Sequence, residues 1–295
     1  MATGVTTLSD FSENPYLTIA EYKNAPTAID FDNLVVGGNA QAQDAELANV
    51  ILRATSFLNE YLNQDLTAGL VNETQRTRIT SQGYLALHPN RNPVLSLNTL
   101  SYGSDPNNLV ALPDPSQSWF ENQQIIIPLS QISTNYSSAG PLAFGGVGSR
   151  QQVFVKYSYI AGYVNTTIAS ATATQSSFTV ADSSGFIAGE RYRIYDGASS
   201  ETITVSSSYV YGSNTILTAS ALAYSHASGV AIGNLPTAIK QAAILVTTAM
   251  LKMRGDASMT MNITTSPSRN FVGADRYGSE IALALEMINL YRRVR

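Results

Sequence analysis

Few side chains in this sequence are of types that carry out chemistry, and their spacing limits what that chemistry is. His88 and His226 fall in different regions, and neither has a helical or hairpin carboxylate partner at metal-ligand spacing, so each reads as an ordinary loop residue. Asp30-Phe31-Asp32 begins like a calcium loop, but Leu34 occupies the next ligand position and the loop glycine is missing. A solvated turn is the expectation there. Phe144–Arg150, FGGVGSR, has the glycines of a phosphate cradle, yet no Lys-Ser or Lys-Thr follows and the next run is strand-like, which predicts a hairpin tip. Glu190 and Glu201 are the acid–base candidates of their region, and no paired carboxylate site for hydrolysis can be located. No G-x-S-x-G elbow is present. The reading is therefore a protein that is not an enzyme, with no catalytic, cofactor-binding or metal residue to assign.

Two other groups of residues point to binding. Tyr192, Tyr195, Tyr209, Tyr211 and Tyr224 either pack small strands or line a face on which sugar rings stack. The ending YRRVR gathers Arg292, Arg293 and Arg295, as a solvated basic tail or as a docking peptide whose guanidinium forks meet an acidic rim.

The elements that would position these residues follow from the hydrophobic pattern. DAELANVILRATSFLNEYL puts Leu47, Val50, Ile51, Ala54, Phe57, Leu58, Tyr61 and Leu62 on one helical face, with Asp44 as the expected N-cap. After Gln64 come short alternating runs bounded by Gly, Pro or Asn, which predict strands. Val153, Val155 and Tyr157 alternate with Phe154, Lys156 and Ser158, and IIIPL reads as an edge strand ended by Pro128. From Val164 to Gly233 the composition turns to Ser, Thr, Ala and Gly, with turn signals between strands of about five residues.

Asn234–Gly255 returns to helix. Ile239, Ala242, Ala243, Leu245, Val246, Ala249, Met250 and Met253 form a broad stripe, while Ile244 and Leu251 stand seven apart on another side. They are either ordinary surface apolars or a contact patch. In the last helix, Ile281, Ala284, Leu285, Ile288 and Tyr291 form one face and Leu283, Met287 and Leu290 another. A helix apolar on two sides lies between two partners.

The fold class is α+β: a helical core of three main helices, a β-hairpin and strand region, and an inserted small all-β barrel or sandwich. The expected division is an N-terminal arm at 1–43, a core at 44–163 and 235–295, and the β module at 164–234. Charged residues make up only 13% of the 295, against about 25% in soluble domains, and the net charge is −4. That balance excludes a sequence-independent nucleic-acid binder, which needs cations to displace counterions. With no cysteine the fold must stand on packing, and no signal peptide or membrane span is expected.

Taken in order, the segments resemble the head-tail connector family of tailed bacteriophages, the adaptor or head-completion proteins beneath the portal. The resemblance rests on the early helix, the strands around GYLALHPNRNPVLSLNTLSYG, the strand VKYSYIAGY, and LPTAIKQAAILVTTAMLKMRG followed by a final LYRR helix. It covers Tyr16 to Gly162 and Leu235 to Arg295 and leaves out Val164 to Gly233. The family implies a virion neck protein made in the host cytoplasm and forming a ring commonly of twelve copies. The implied partners are the portal, tail-completion or tail-terminator proteins, and DNA passing through the lumen, with no membrane and no cofactor. On that resemblance Ile244, Leu251, Leu283, Met287 and Leu290 meet the adjacent subunit, and Arg292, Arg293 and Arg295 dock on the portal. The competing expectation is a virion decoration protein whose β insert recognises host glycan.

Overall fold

The computed structural model describes residues 14–27, 29–30, 34–78, 84–112, 114–128, 152–253 and 279–293. The chain is mixed α+β, organised around three hydrophobic clusters. The Phe144–Arg150 glycines, Asp32, Gly255 and Arg295 lie outside the described residues.

The first cluster is helical. α1 (Ile19–Asn24) is started by a capping box in which the Thr18 hydroxyl accepts from Glu21 N and the Glu21 carboxylate accepts from Thr18 N. α2 (Ala40–Leu62) starts five residues earlier than its apolar stripe suggests, because Asn39 caps it by accepting from Ala42 N. Asp44, the expected cap, instead pairs with Lys23. α3 (Thr237–Lys252) packs on α2, and α4 (Ser279–Ile288) packs on both of them. Leu47, Ile51, Leu58, Ile239, Val246, Ala284 and Ile288 are among the side chains sealed between these helices.

The second cluster lies between two antiparallel sheets. β1 (Gly69–Arg78), β7 (Gln152–Ala161), β3 (Val94–Asp105) and β4 (Asn108–Ala111) form a sheet in the order β1-β7-β3-β4. β2 (Tyr84–Leu87), β6 (Gln124–Pro128) and β5 (Trp119–Glu121) form the other, in the order β2-β6-β5. Val153, Val155 and Tyr157 face inward, as their alternation predicts. β6 is central rather than an edge strand, because Asn122 and Gln123 both adopt positive φ and turn β5 back along it. Pro128 sits at its end, opposite Tyr84.

The third cluster belongs to β8 (Asn165–Ser170), β9 (Ser177–Val180), β10 (Arg191–Tyr195), β11 (Glu201–Thr204), β12 (Thr215–Leu217) and β13 (Ala231–Gly233). Their order β11-β10-β13-β8-β9-β12 curls into a half-barrel around Phe178, Phe186, Tyr192, Ile194 and Ile232. The ends of its two edge strands meet at one bridge, where Ser206 N donates to Leu217 O at 2.8 Å and Ala219 N to Thr204 O at 2.8 Å. The chain enters and leaves this unit at one point, since Asn234 N donates to Val164 O and the Asn234 side chain accepts from Val164 N.

Candidate interaction surface

The last helix and the end of α2 build a fixed platform. A helix leaves its final carbonyls without intrahelical donors, and α2 ends on Asn63 in the left-handed conformation at φ 55°. The C-terminal segment supplies what is missing. Arg293 N donates to Leu62 O at 3.0 Å, Asn63 Nδ2 to Arg293 O at 3.1 Å, and Gln64 Nε2 to Tyr291 O at 2.9 Å. Tyr61 Oη donates to Asn289 Oδ1 at 3.2 Å, and the Arg292 guanidinium stands 5.0 Å over the Tyr61 ring. Arg292 thus combines a cation–π contact with a place near the negative end of the helix dipole.

This clamp decides where the apolar residues of the last helix face. Ala284 and Ile288 are buried against α2 and α3, and Leu285, Met287 and Tyr291 are half-buried on the same cluster. Leu283 and Leu290 turn outward, 50% and 88% exposed. At Leu290 opens a groove of about 710 Å³, bounded by Leu290–Arg293, the Glu121–Gln124 turn and Asn92–Val94. Phe120 lines it, and Trp119, the next residue along β5, stands edge-on to Tyr84 at 5.2 Å. Glu121 is the carboxylate of this groove, facing a wall that carries Arg292 and Arg293.

The sequence-based residues therefore separate. Leu283 lies exposed on α4, Met287 is half-buried on the helical core, and Leu290, Arg292 and Arg293 line the groove. Ile244 and Leu251 do not belong to it: Leu251 is buried in the helical core of its own chain and Ile244 packs on that core. α2 and α4 both pack on α3, and Leu251 falls within the core they share. Arg292 and Arg293 are not a free solvated tail either, because the α2 terminus holds their backbone.

Three buried polar clusters lie elsewhere. Lys240 and Glu21 form a buried ion pair, with the Lys240 Nζ 4.0 Å over the Tyr195 ring. Burial pushes the Lys240 ammonium down from its usual range, and Glu21 only partly offsets that. Glu73 accepts from Tyr159 Oη at 2.6 Å and from Tyr157 Oη at 2.9 Å. Burial, then the Glu73 charge, raises the Tyr157 hydroxyl; burial, then the Glu73 hydrogen bond, raises that of Tyr159.

His226 differs most from its sequence reading. Its side chain is buried, with Nδ1 2.9 Å from Asp196 Oδ2 and Nε2 2.8 Å from Glu201 Oε1. These carboxylates flank the β10–β11 turn, and the pairing of His226 with Ala171 brings the ring between them. Burial pushes the Glu201 carboxyl up, but the Ala223 amide, His226 and the Tyr224 amide outweigh it and lower the value. Glu201 is thus fully engaged, and Glu190 is exposed. His88 meets Gln124 at the surface. Among the described residues no set of side chains is placed to hold a metal ion, and no helix is long and apolar enough to cross a membrane.

The tyrosines of the β module do not share one face. Tyr192 and Tyr209 are interior, Tyr195 lies under Lys240, Tyr211 bonds Ser96 at 3.0 Å, and Tyr224 is exposed. Against protein-family models, characterised proteins and solved structures, the chain gives no match.

Proposed function

We propose that this chain is a structural head–tail adaptor of a tailed phage neck, working by assembly into a ring under the portal around the DNA channel. The order of segments suggests the class, and one observation carries the reading: an apolar row, Leu283 and Leu290, is held outward on a helix whose end is clamped to α2. Exposed leucines on a mobile end cost little. Leucines fixed beside a groove form a surface that a neighbour can cover without an ordering penalty.

A ring built from one repeated heterologous contact needs such a surface on every copy. Arg292 and Arg293 stand at the rim, where cations contribute more to orientation and on-rate than to affinity, and they are the residues proposed to meet the portal. Leu251 has no part in the proposed surface, because its own protomer buries it, and Ile244 is half-buried on the same core.

The test is Leu283→Asp combined with Leu290→Asp. Both sites are exposed, so monomer stability should change by no more than about 0.5 kcal/mol each. Incorporation into particles should fail, read by cryo-EM and by the infectivity of complemented virions. Normal incorporation, or a virion map that places the chain away from the neck, overturns the reading.

A further inference from the structure

The charge of this protein is not evenly spread. No Asp or Glu occurs from residue 74 to 104 or from 122 to 181, although the chain as a whole is acidic. These stretches supply β7, most of β3 and the outer half of β1. Along β1 the exposed positions alternate, which places Arg76 and Arg78 on the outer face of the sheet. On β7 Lys156 is exposed on that same face, opposite Thr74, while Phe154 lies directly opposite Arg76.

Among the described residues Arg76, Arg78 and Lys156 have no ion-pair partner. Glu73, the nearest acid on β1, points to the inner face and is held by Tyr157 and Tyr159. Asp105, at the end of β3, accepts from Asn107 N in the turn. Three like charges on adjacent strands repel one another, and among the described residues no carboxylate pairs with them. Among the described residues β1, ten residues long, is an edge strand paired with β7.

The geometry points to a docking strip for an extended, acidic segment of a partner protein, laid along the β1 edge with its carboxylates over Arg76, Arg78 and Lys156. An edge strand offers backbone hydrogen bonds to such a segment, and side chains set its specificity. Phe154, half-buried amid the cations, supplies the aromatic and arginine combination on which protein interfaces concentrate their energy. Nucleic acid fits less well. A long polyanion meets the acidic remainder of the surface, whereas a short acidic segment meets only this strip within a screening length of about 8–10 Å. None of these residues lines the C-terminal groove, so the strip stands whether or not the adaptor reading does.

The experiment titrates the isotope-labelled full chain with a short peptide of alternating Glu and Val, its Gln-for-Glu counterpart, and a short DNA duplex. The acidic peptide should shift and protect β1 amides from exchange, and added salt should weaken it. Arg76→Gln, Arg78→Gln and Lys156→Gln together should lower its affinity about 20-fold, three exposed pairs near the middle of their usual range, with the thermal transition unchanged. The inference is overturned if millimolar acidic peptide leaves β1 unperturbed, if the Gln peptide or the triple variant binds equally well, or if DNA binds more tightly than the peptide.

Discussion

Replacing Lys240 by Met tests how the pieces of this protein are joined. Lys240 lies in the first turn of α3, its side chain 8% accessible, and Glu21, on α1, is 11% accessible. One oxygen of Glu21 closes the α1 capping box by accepting from Thr18 N at 2.8 Å, and the other faces Lys240. The ammonium also sits over Tyr195 of the half-barrel, so a single side chain touches both helices and the β module. Met matches the length of the Lys stem but takes away the cation, leaving a buried carboxylate without its partner. Breaking a buried pair from one side costs about 3–5 kcal/mol. For a chain of 295 residues that corresponds to a fall in Tm of roughly 5–8 °C. Glu21→Gln combined with Lys240→Met removes both charges and keeps an acceptor for Thr18 N, and neutral replacement of a buried pair is often close to neutral in stability. The double variant should therefore recover about 2 kcal/mol or more relative to Lys240→Met alone. Urea unfolding followed by circular dichroism measures all the variants. A single variant within about 1 kcal/mol of the parent, or a double no better than the single, would refute the reasoning.

Two further outcomes are expected. Leu251→Ala should cost about 2–4 kcal/mol in urea unfolding, because Leu251 is buried in the helical core; a cost below about 0.5 kcal/mol would return it to the surface. Alkaline pH should unfold the protein. Tyr157, Tyr159 and Tyr192 have hydroxyls raised by burial, that of Tyr192 to about 12. A raised folded value holds the proton that an unfolded tyrosine releases near pH 10, so this stability is complete below pH 10 and is lost as the pH rises above it. Tyr192→Phe should flatten that loss between pH 10 and about 12, and an equal loss of stability in the two proteins over that range would contradict it.

The helices were legible because their signal is local. Leu47, Ile51, Leu58, Ile239 and Val246 fall on their faces by a 3.6-residue period, and all are buried. The strand alternation of Val153, Val155 and Tyr157 was legible for the same reason, with a period of two. The cap of α2 was misplaced because Asn39 lies before the apolar stripe begins, where periodicity carries no information. The outward setting of Leu283 and Leu290 was half legible: the pattern gave two apolar faces, and the clamp on Leu62 and Gln64 chose which one met solvent.

Element types, the apolar face of each helix, the low charge and the change of composition near residue 164 can be read from residue order alone. Which faces meet depends on the folded chain. It buried Leu251 in the helical core, placed His226 between carboxylates 30 and 25 residues away, and gathered Arg76, Arg78 and Lys156 on one side of a sheet. Local patterns arise from backbone geometry repeated every two or 3.6 residues. Partners across the fold arise from strand order and chain crossing, which impose no spacing on the sequence that one chain can reveal.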